Sequence, residues 1–309
     1  MTALRGPEPN LTRQSEAEVR SRRQSYAGEG TGIAVALGGG FSRGFAHLGV
    51  LEVLEQERIP ISAIVGTSIG GLLGAAYADG ISVRELCELG RHVRVRDFFR
   101  FQRPAPDAEK DAQKNDRIGR FVRDCFQVSQ VEELPIPTAI VATDLGTGAP
   151  HVFTRGPLEV AIRASCAFPG LFKPVEYEGR LLADGCIAAP VPTAVAARMN
   201  ARCVLGVAVG WREKSAPSGC NVVQVFDRTF RTSSKRMQQP SWVRNADVLL
   251  EPEVQQIDWN DFSRVDEARA AGAEAMRRAL PHVRKLLDRQ SQPRPVAGTS
   301  GPVESWLVS

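Results

Sequence analysis

No Cys-x-x-C pair occurs among the six cysteines of this 309-residue chain, and no histidine stands beside one at metal-ligand spacing. Cys87, Cys125, Cys166, Cys186, Cys203 and Cys220 are scattered, so a zinc or dithiol motif is excluded and reduced, mostly buried thiols are expected. Residues 1–30 are polar and charged without an apolar centre, and no secretory signal is read there. The longest apolar run, Ala63 to Ala78, is too short to cross a bilayer. No linker rich in Gly, Ser or Pro divides the middle, which favours one large α/β domain over two small ones. Internal repeats are absent. The net charge of +4 is mild. It permits contact with an anionic membrane surface and gives no case for nucleic acid. The expectation is a cytoplasmic protein, peripheral at most to a membrane, whose oligomeric state no motif encodes.

What is present is an ordered series of short apolar strands and helices. Residues 1–30 read as a flexible arm, 31–288 as the folded domain and 289–309 as a flexible, Pro/Gly/Ser-rich tail. Gly32–Leu37 reads as a buried strand ending in Gly38-Gly39-Gly40. Phe45, Leu48, Leu51 and Leu54 then recur at helical spacing, with Pro60 at the helix exit. Ser62–Val65 is a second strand. By the handedness rule it lies parallel to the first, which puts the glycine loop and the residues after Val65 at one sheet edge. Further helices are expected over Val83–Val95, Leu158–Ser165 and Asp266–Leu287. Strands are expected at Thr138–Thr143, Pro150–Thr154, Val204–Val209 and Asp247–Leu250, with a hairpin from Val175 to Leu182.

The second strand runs into Gly66-Thr67-Ser68-Ile69-Gly70, a G-x-S-x-G nucleophile elbow. Small residues around Ser68 permit a sharp strand-to-helix turn that exposes the hydroxyl at a helix N-terminus. The dipole of that helix favours negative charge on the oxygen. Gly38–Gly40 supplies backbone N–H groups that can approach a developing oxyanion. Together these features point to acyl transfer through a serine. A G-x-G-x-x-G dinucleotide loop is the rival reading, but Arg43 takes the place of its last glycine and no acidic residue ends the second strand.

A serine nucleophile needs a base. His47, His92, His151 and His282 are the only histidines. His282 lies in a helical pattern instead of a loop, and one β-α unit before the elbow departs from α/β-hydrolase order. His47, four residues beyond Arg43, reads as a packing or hydrogen-bonding residue. Asp184, between a strand end and Gly185, is the best carboxylate. Asp144 has a similar setting, but Thr147 and Gly148 suggest an Asx-type turn. A free aspartate is a weak base; burial and a direct hydrogen bond to Ser68 would make it workable. Ser165 lacks flanking glycines and reads as structural. The basic and aromatic stretch Arg94–Arg103 reads as a helix end, with lipid docking as its second reading.

Several of these segments resemble patatin-like phospholipases. Gly38-Gly39-Gly40-Phe41-Ser42-Arg43-Gly44 is similar to their oxyanion loop and Gly66-Thr67-Ser68-Ile69-Gly70-Gly71 to their elbow. Ala164–Pro169 and Phe172–Val175 resemble the approach to their third motif, where Asp184-Gly185-Cys186 falls. The likeness spans about residues 32–210, with weaker echoes over Asp261–Gly272. It implies a three-layer α/β/α fold around a mainly parallel sheet, and a short bacterial form without regulatory domains. It implies Ser68 as nucleophile, Asp184 as base, an oxyanion hole from Gly38, Gly39 and Gly40 toward Arg43, and no histidine, metal or cofactor. The expected substrate is a lipid or other acyl ester. Cys186 replaces a Gly or Ala of the family beside the base and could crowd the site, leaving the dyad intact. A thioesterase, a transacylase or a silent membrane-associated binding module remain the alternatives.

Overall fold

The computed structural model describes residues 32–93, 117–209 and 222–288. The arm at 1–30, the tail at 289–309, the Arg94–Arg103 segment and Cys220 lie outside the described residues. β1 (Ile33–Leu37) is buried at every position, as an interior strand of a two-faced sheet must be. The glycine loop and a 3-10 turn (Phe41–Phe45) lead into α1 (Ala46–Gln56), and β2 (Ile61–Thr67) returns parallel to β1. This is the expected β-α-β unit, and α2 (Ile69–Ala78) follows the elbow. A capping box of Ser82 and Glu85 starts α3 (Val83–His92).

Then come α4 (Arg117–Cys125), β3 (Thr138–Asp144), β4 (Pro150–Phe153) and α5 (Leu158–Ser165). The hairpin is β5 (Val175–Tyr177) and β6 (Arg180–Asp184), so Asp184 is the last residue of a strand. The chain continues through α6 (Thr193–Ala196), β7 (Cys203–Val207), α7 (Val222–Asn245), β8 (Val248–Leu250) and α8 (Val265–Asp288). Three helices, α4, α6 and α7, had no counterpart in the sequence reading. In α4, Ile118, Phe121, Val122 and Cys125 stand at helical spacing, a signal the reading passed over; α6 is only four residues long, and α7 is polar and contains Pro240.

The sheet has eight strands in the order β5-β6-β3-β2-β1-β7-β8, with β4 also on β3. Its centre, β3-β2-β1-β7-β8, is parallel throughout. Alternate residues of β1 sort into opposite cores. Ile33, Val35 and Leu37 pack toward α1, α2, α5 and α8, and Ala34 and Ala36 toward α6. Trp242 of α7 joins Val191 and Ala208 in a smaller cluster. The architecture is three-layer α/β/α. Among the described residues, no helix is long and apolar enough to cross a membrane.

One feature of the register sets up the site. Ile140 and Val141 of β3 pair with both β2 and β4, whereas Ala142 and Thr143 pair with β4 and β6. A strand residue has one neighbour on each edge, so β2 and β6 share the same edge of β3. They run toward each other and meet end to end: Thr67 opposes Val141, and Asp184 opposes the next residue, Ala142.

Candidate active site

That junction brings Ser68 to Asp184 across 116 residues of chain, and Ser68 Oγ donates to Asp184 Oδ2 at 2.7 Å. Ser68 caps α2 at φ 54°, ψ −125°, a left-handed conformation unusual for serine. The turn's strain therefore sits on the nucleophile candidate and not on the glycines beside it. Gly66 and Gly70 serve close approach instead. A Cβ on Gly66 would lie 2.4 Å from the Gly70 carbonyl, and one on Gly70 would lie 2.3 Å from the Leu37 carbonyl. The first turn of α2 thus presses directly on the end of β1 and the glycine loop.

Asp184 is fully buried. Oδ1 accepts the Cys186 N–H at 2.8 Å, and its own main chain is held by Ala167 and by the Thr143 hydroxyl. Burial pushes its carboxyl up to about 6, against the opposing pull of the Ser68 hydroxyl and the Cys186 amide and thiol. Cys186 fits because residue 39 is glycine: a Cβ there would sit 2.0 Å from the Cys186 sulfur and 3.3 Å from Ser68 Cβ. The thiol lies against Gly39, and the Ser68–Asp184 bond is intact.

The loop's amides are not equally free. Gly38 N–H donates to Val207 O and Gly39 N–H to Pro190 O, both at 3.0 Å, and Arg43 N–H donates to Gly40 O at 3.2 Å. The Ser68 amide is also occupied, by Ser165 Oγ at 2.8 Å. Gly40 and Phe41 N–H meet no acceptor among the described residues, which narrows the expected donor set. Phe41, at φ 50°, is held by edge-on contacts of its ring with Phe168 and Trp259. The Arg43 guanidinium does not turn to the dyad; its Nε donates to Ile257 O at 2.7 Å and ties the loop to a remote segment.

The histidines lie elsewhere. His47 Nε2 donates to Gly38 O at 2.7 Å, and burial lowers this ring to about 4, so it is a neutral brace for the loop. His151 packs on Phe153 and Tyr177, His92 bonds the Glu88 carbonyl, and His282 is exposed on α8. Asp144 forms the expected Asx turn with Gly146 N–H at 2.8 Å and pairs with Arg180 at 3.0 Å. Burial pulls its carboxyl up, but these partners outweigh it and hold the group below its usual range. His47 is the hydrogen-bonding residue the sequence suggested, though its partner, the Gly38 carbonyl, was not foreseen; Ser165 was read as structural, and its bond to the Ser68 amide was missed.

A family model for patatin-like phospholipases matches residues 35–197. The chain belongs to the patatin-like phospholipase family. An uncharacterized NTE family protein of Mycobacterium tuberculosis is 39% identical over 181 residues, 59% of this chain and 50% of that protein. Human patatin-like phospholipase domain-containing protein 6 is 31% identical over 191 residues, 60% of this chain and 14% of the relative. Lysophospholipase NTE1 of Mycosarcoma maydis is 33% identical over 192 residues, 61% and 10% of the two chains. The chain thus matches half or less of the length of these relatives. Of solved structures, VipD from Legionella pneumophila aligns at TM-score 0.46 and 16% identity, over 85% of this chain and 67% of that one.

Proposed function

We propose that this chain is a lipid acyl hydrolase working through a Ser68–Asp184 dyad and an acyl-enzyme. The observation that carries the reading is the 2.7 Å bond from Ser68 Oγ to a carboxylate that is fully buried. Ser68 attacks the acyl carbonyl as its proton passes to Asp184. The oxyanion of the tetrahedral intermediate is met by the Gly40 and Phe41 amides, because Gly38, Gly39 and Ser68 have already given theirs to protein acceptors. Collapse expels the alcohol, which takes the proton from Asp184. Water, deprotonated by the same carboxylate, then attacks the acyl-enzyme, and the proton passes from Asp184 to Ser68 Oγ as the fatty acid leaves. Family membership and a relative named as a lysophospholipase support a lipid ester as substrate. Peripheral contact with a lipid surface is part of the same proposal.

The test is fluorophosphonate labelling of the purified chain beside release of fatty acid from lysophospholipid and phospholipid micelles. Wild type should carry the adduct on Ser68 and release fatty acid. Ser68→Ala should do neither, and Asp184→Asn should lose nearly as much, without additivity in the double variant. Turnover surviving in Ser68→Ala would overturn the mechanism. Labelling without hydrolysis, with product formed only when an acceptor alcohol or thiol is supplied, would replace hydrolase by transacylase.

A further inference from the structure

We infer that Ser165 is a positioning residue for the nucleophile, its hydroxyl supplying the rung that is missing where the C-terminal ends of β2 and β6 meet. The inference rests on reading Ser68 as the nucleophile. The β2–β3 pairing stops at Thr67 and Val141. The next amide, that of Ser68, and the carbonyl of Val141 find a common partner. Ser68 N–H donates to Ser165 Oγ at 2.8 Å, and Ser165 O–H donates to Val141 O at 2.6 Å. A hydroxyl can do both because it carries one donor and two acceptor lone pairs. Alanine could do neither.

The same residue reaches the other strand end. Its carbonyl accepts Gly185 N–H at 3.4 Å, and Ala167, two residues on, accepts Asp184 N–H at 3.0 Å. The end of α5 therefore touches the main chain of both members of the dyad. Ser165 is fully buried, so solvent offers no substitute for its hydroxyl.

The consequence falls on the Ser68 side chain. A left-handed serine persists only where its surroundings over-determine it. The Ser165 bond fixes the Ser68 amide, and with it the direction in which Oγ leaves the chain toward Asp184. It also removes the Ser68 amide from the oxyanion donors, which separates orienting the nucleophile from binding the charge. Misplacing a reacting atom by about 1 Å can cost roughly 10²-fold in rate.

The experiment compares fluorophosphonate labelling kinetics of the full chain with those of Ser165→Ala and Ser165→Cys, the site mapped by mass spectrometry and the folded fraction measured by circular dichroism. Ser165→Ala should lower the maximal labelling rate of Ser68 by roughly 10²-fold, with the half-saturating probe concentration unchanged. Ser165→Cys keeps the shape with a weak acceptor and should fall between; it decides the matter if the alanine variant does not fold. A wild type without adduct on Ser68 would mean that the nucleophile reading is wrong. A labelled wild type whose folded variants react at the wild-type rate would overturn the positioning role, since a purely structural serine would change only the folded fraction.

Discussion

Among the described residues Asp184 faces no cation; its carboxylate meets the Ser68 hydroxyl and the amide and thiol of Cys186. As a base it must be ionised, and burial sets its carboxyl at about 6. The logarithm of kcat/KM should therefore fall with unit slope as pH drops below that value. The Cys186 thiol donates to the ionised form and pulls the carboxyl down, so Cys186→Ala should move this acid limb to higher pH, while Cys186→Ser should hold it in place. A pH–rate profile decides, and an unmoved limb in Cys186→Ala would show that the thiol does not bear on the base. The same carboxyl affects stability with the opposite sign to the usual aspartate. Its folded value lies above the ordinary carboxylate range near 4. The folded state thus binds the proton more tightly, and this group's contribution to stability rises as pH falls from above 6 toward 4. Asp184→Asn has no charge to desolvate. Its thermal midpoint relative to wild type should be higher at pH 8 than at pH 5. At this scale the sequence identified Ser68 and Asp184 as candidates from their settings beside turns and glycines. It did not reveal that the strain lies on Ser68 itself, because φ at one residue depends on how α2 docks against β1.

At the scale of elements, α1 and α8 pack backbone against backbone. A Cβ on Gly49 would lie 1.9 Å from the Arg269 carbonyl, and one on Gly272 would lie 1.8 Å from the Ala46 carbonyl. Ala46 begins α1 directly after the turn that carries Phe41, Ser42 and Arg43, so the helix contact also places the glycine loop. Gly272→Ala must push the helices apart. The expected cost is about 1–3 kcal/mol in urea unfolding, with slower labelling of Ser68 in the protein that remains folded. Unchanged labelling would mean that the loop is set by other contacts. Elements with a strong local signal were legible: the first β-α-β unit, the hairpin, read at Val175–Leu182 and running to Asp184, and α8, whose apolar period predicts Asp266–Leu287 and which runs Val265–Asp288. The apolar period of α4 (Ile118, Phe121, Val122, Cys125) was there to be read and was passed over, whereas α7 was not legible. Trp242 shows the reason in α7: it is buried against Val191 and Ala208, partners distant in sequence, while its own neighbours are mostly polar.

For the whole molecule, the family match ends at residue 197, yet the loop that should bind the oxyanion is held from beyond that point. β7 pairs with β1 along all five of its residues, and Val207 O takes the Gly38 amide. Ile257 O holds Arg43, and Trp259 O takes the Ser42 amide at 3.1 Å. None of these contacts could be read from the chain, because register between segments so far apart is fixed by the assembled sheet and not by local propensity. They make residues 31–288 one folding unit on our reading, with the C-terminal third as a structural part of the site. A chain of Thr31–Asp288 should then keep the thermal midpoint and the Ser68 labelling rate of the full protein. A chain ending at Asn200 would leave one edge of β1 open, strip α8 from the core that holds Ile33, Val35 and Leu37, and free the Gly38 amide. It should show no cooperative thermal transition and no labelling of Ser68. If that shorter chain folded and reacted with the probe, the loop would be set by the first 200 residues alone, and the contacts of β7 and of the Ile257–Trp259 segment would be incidental to the site.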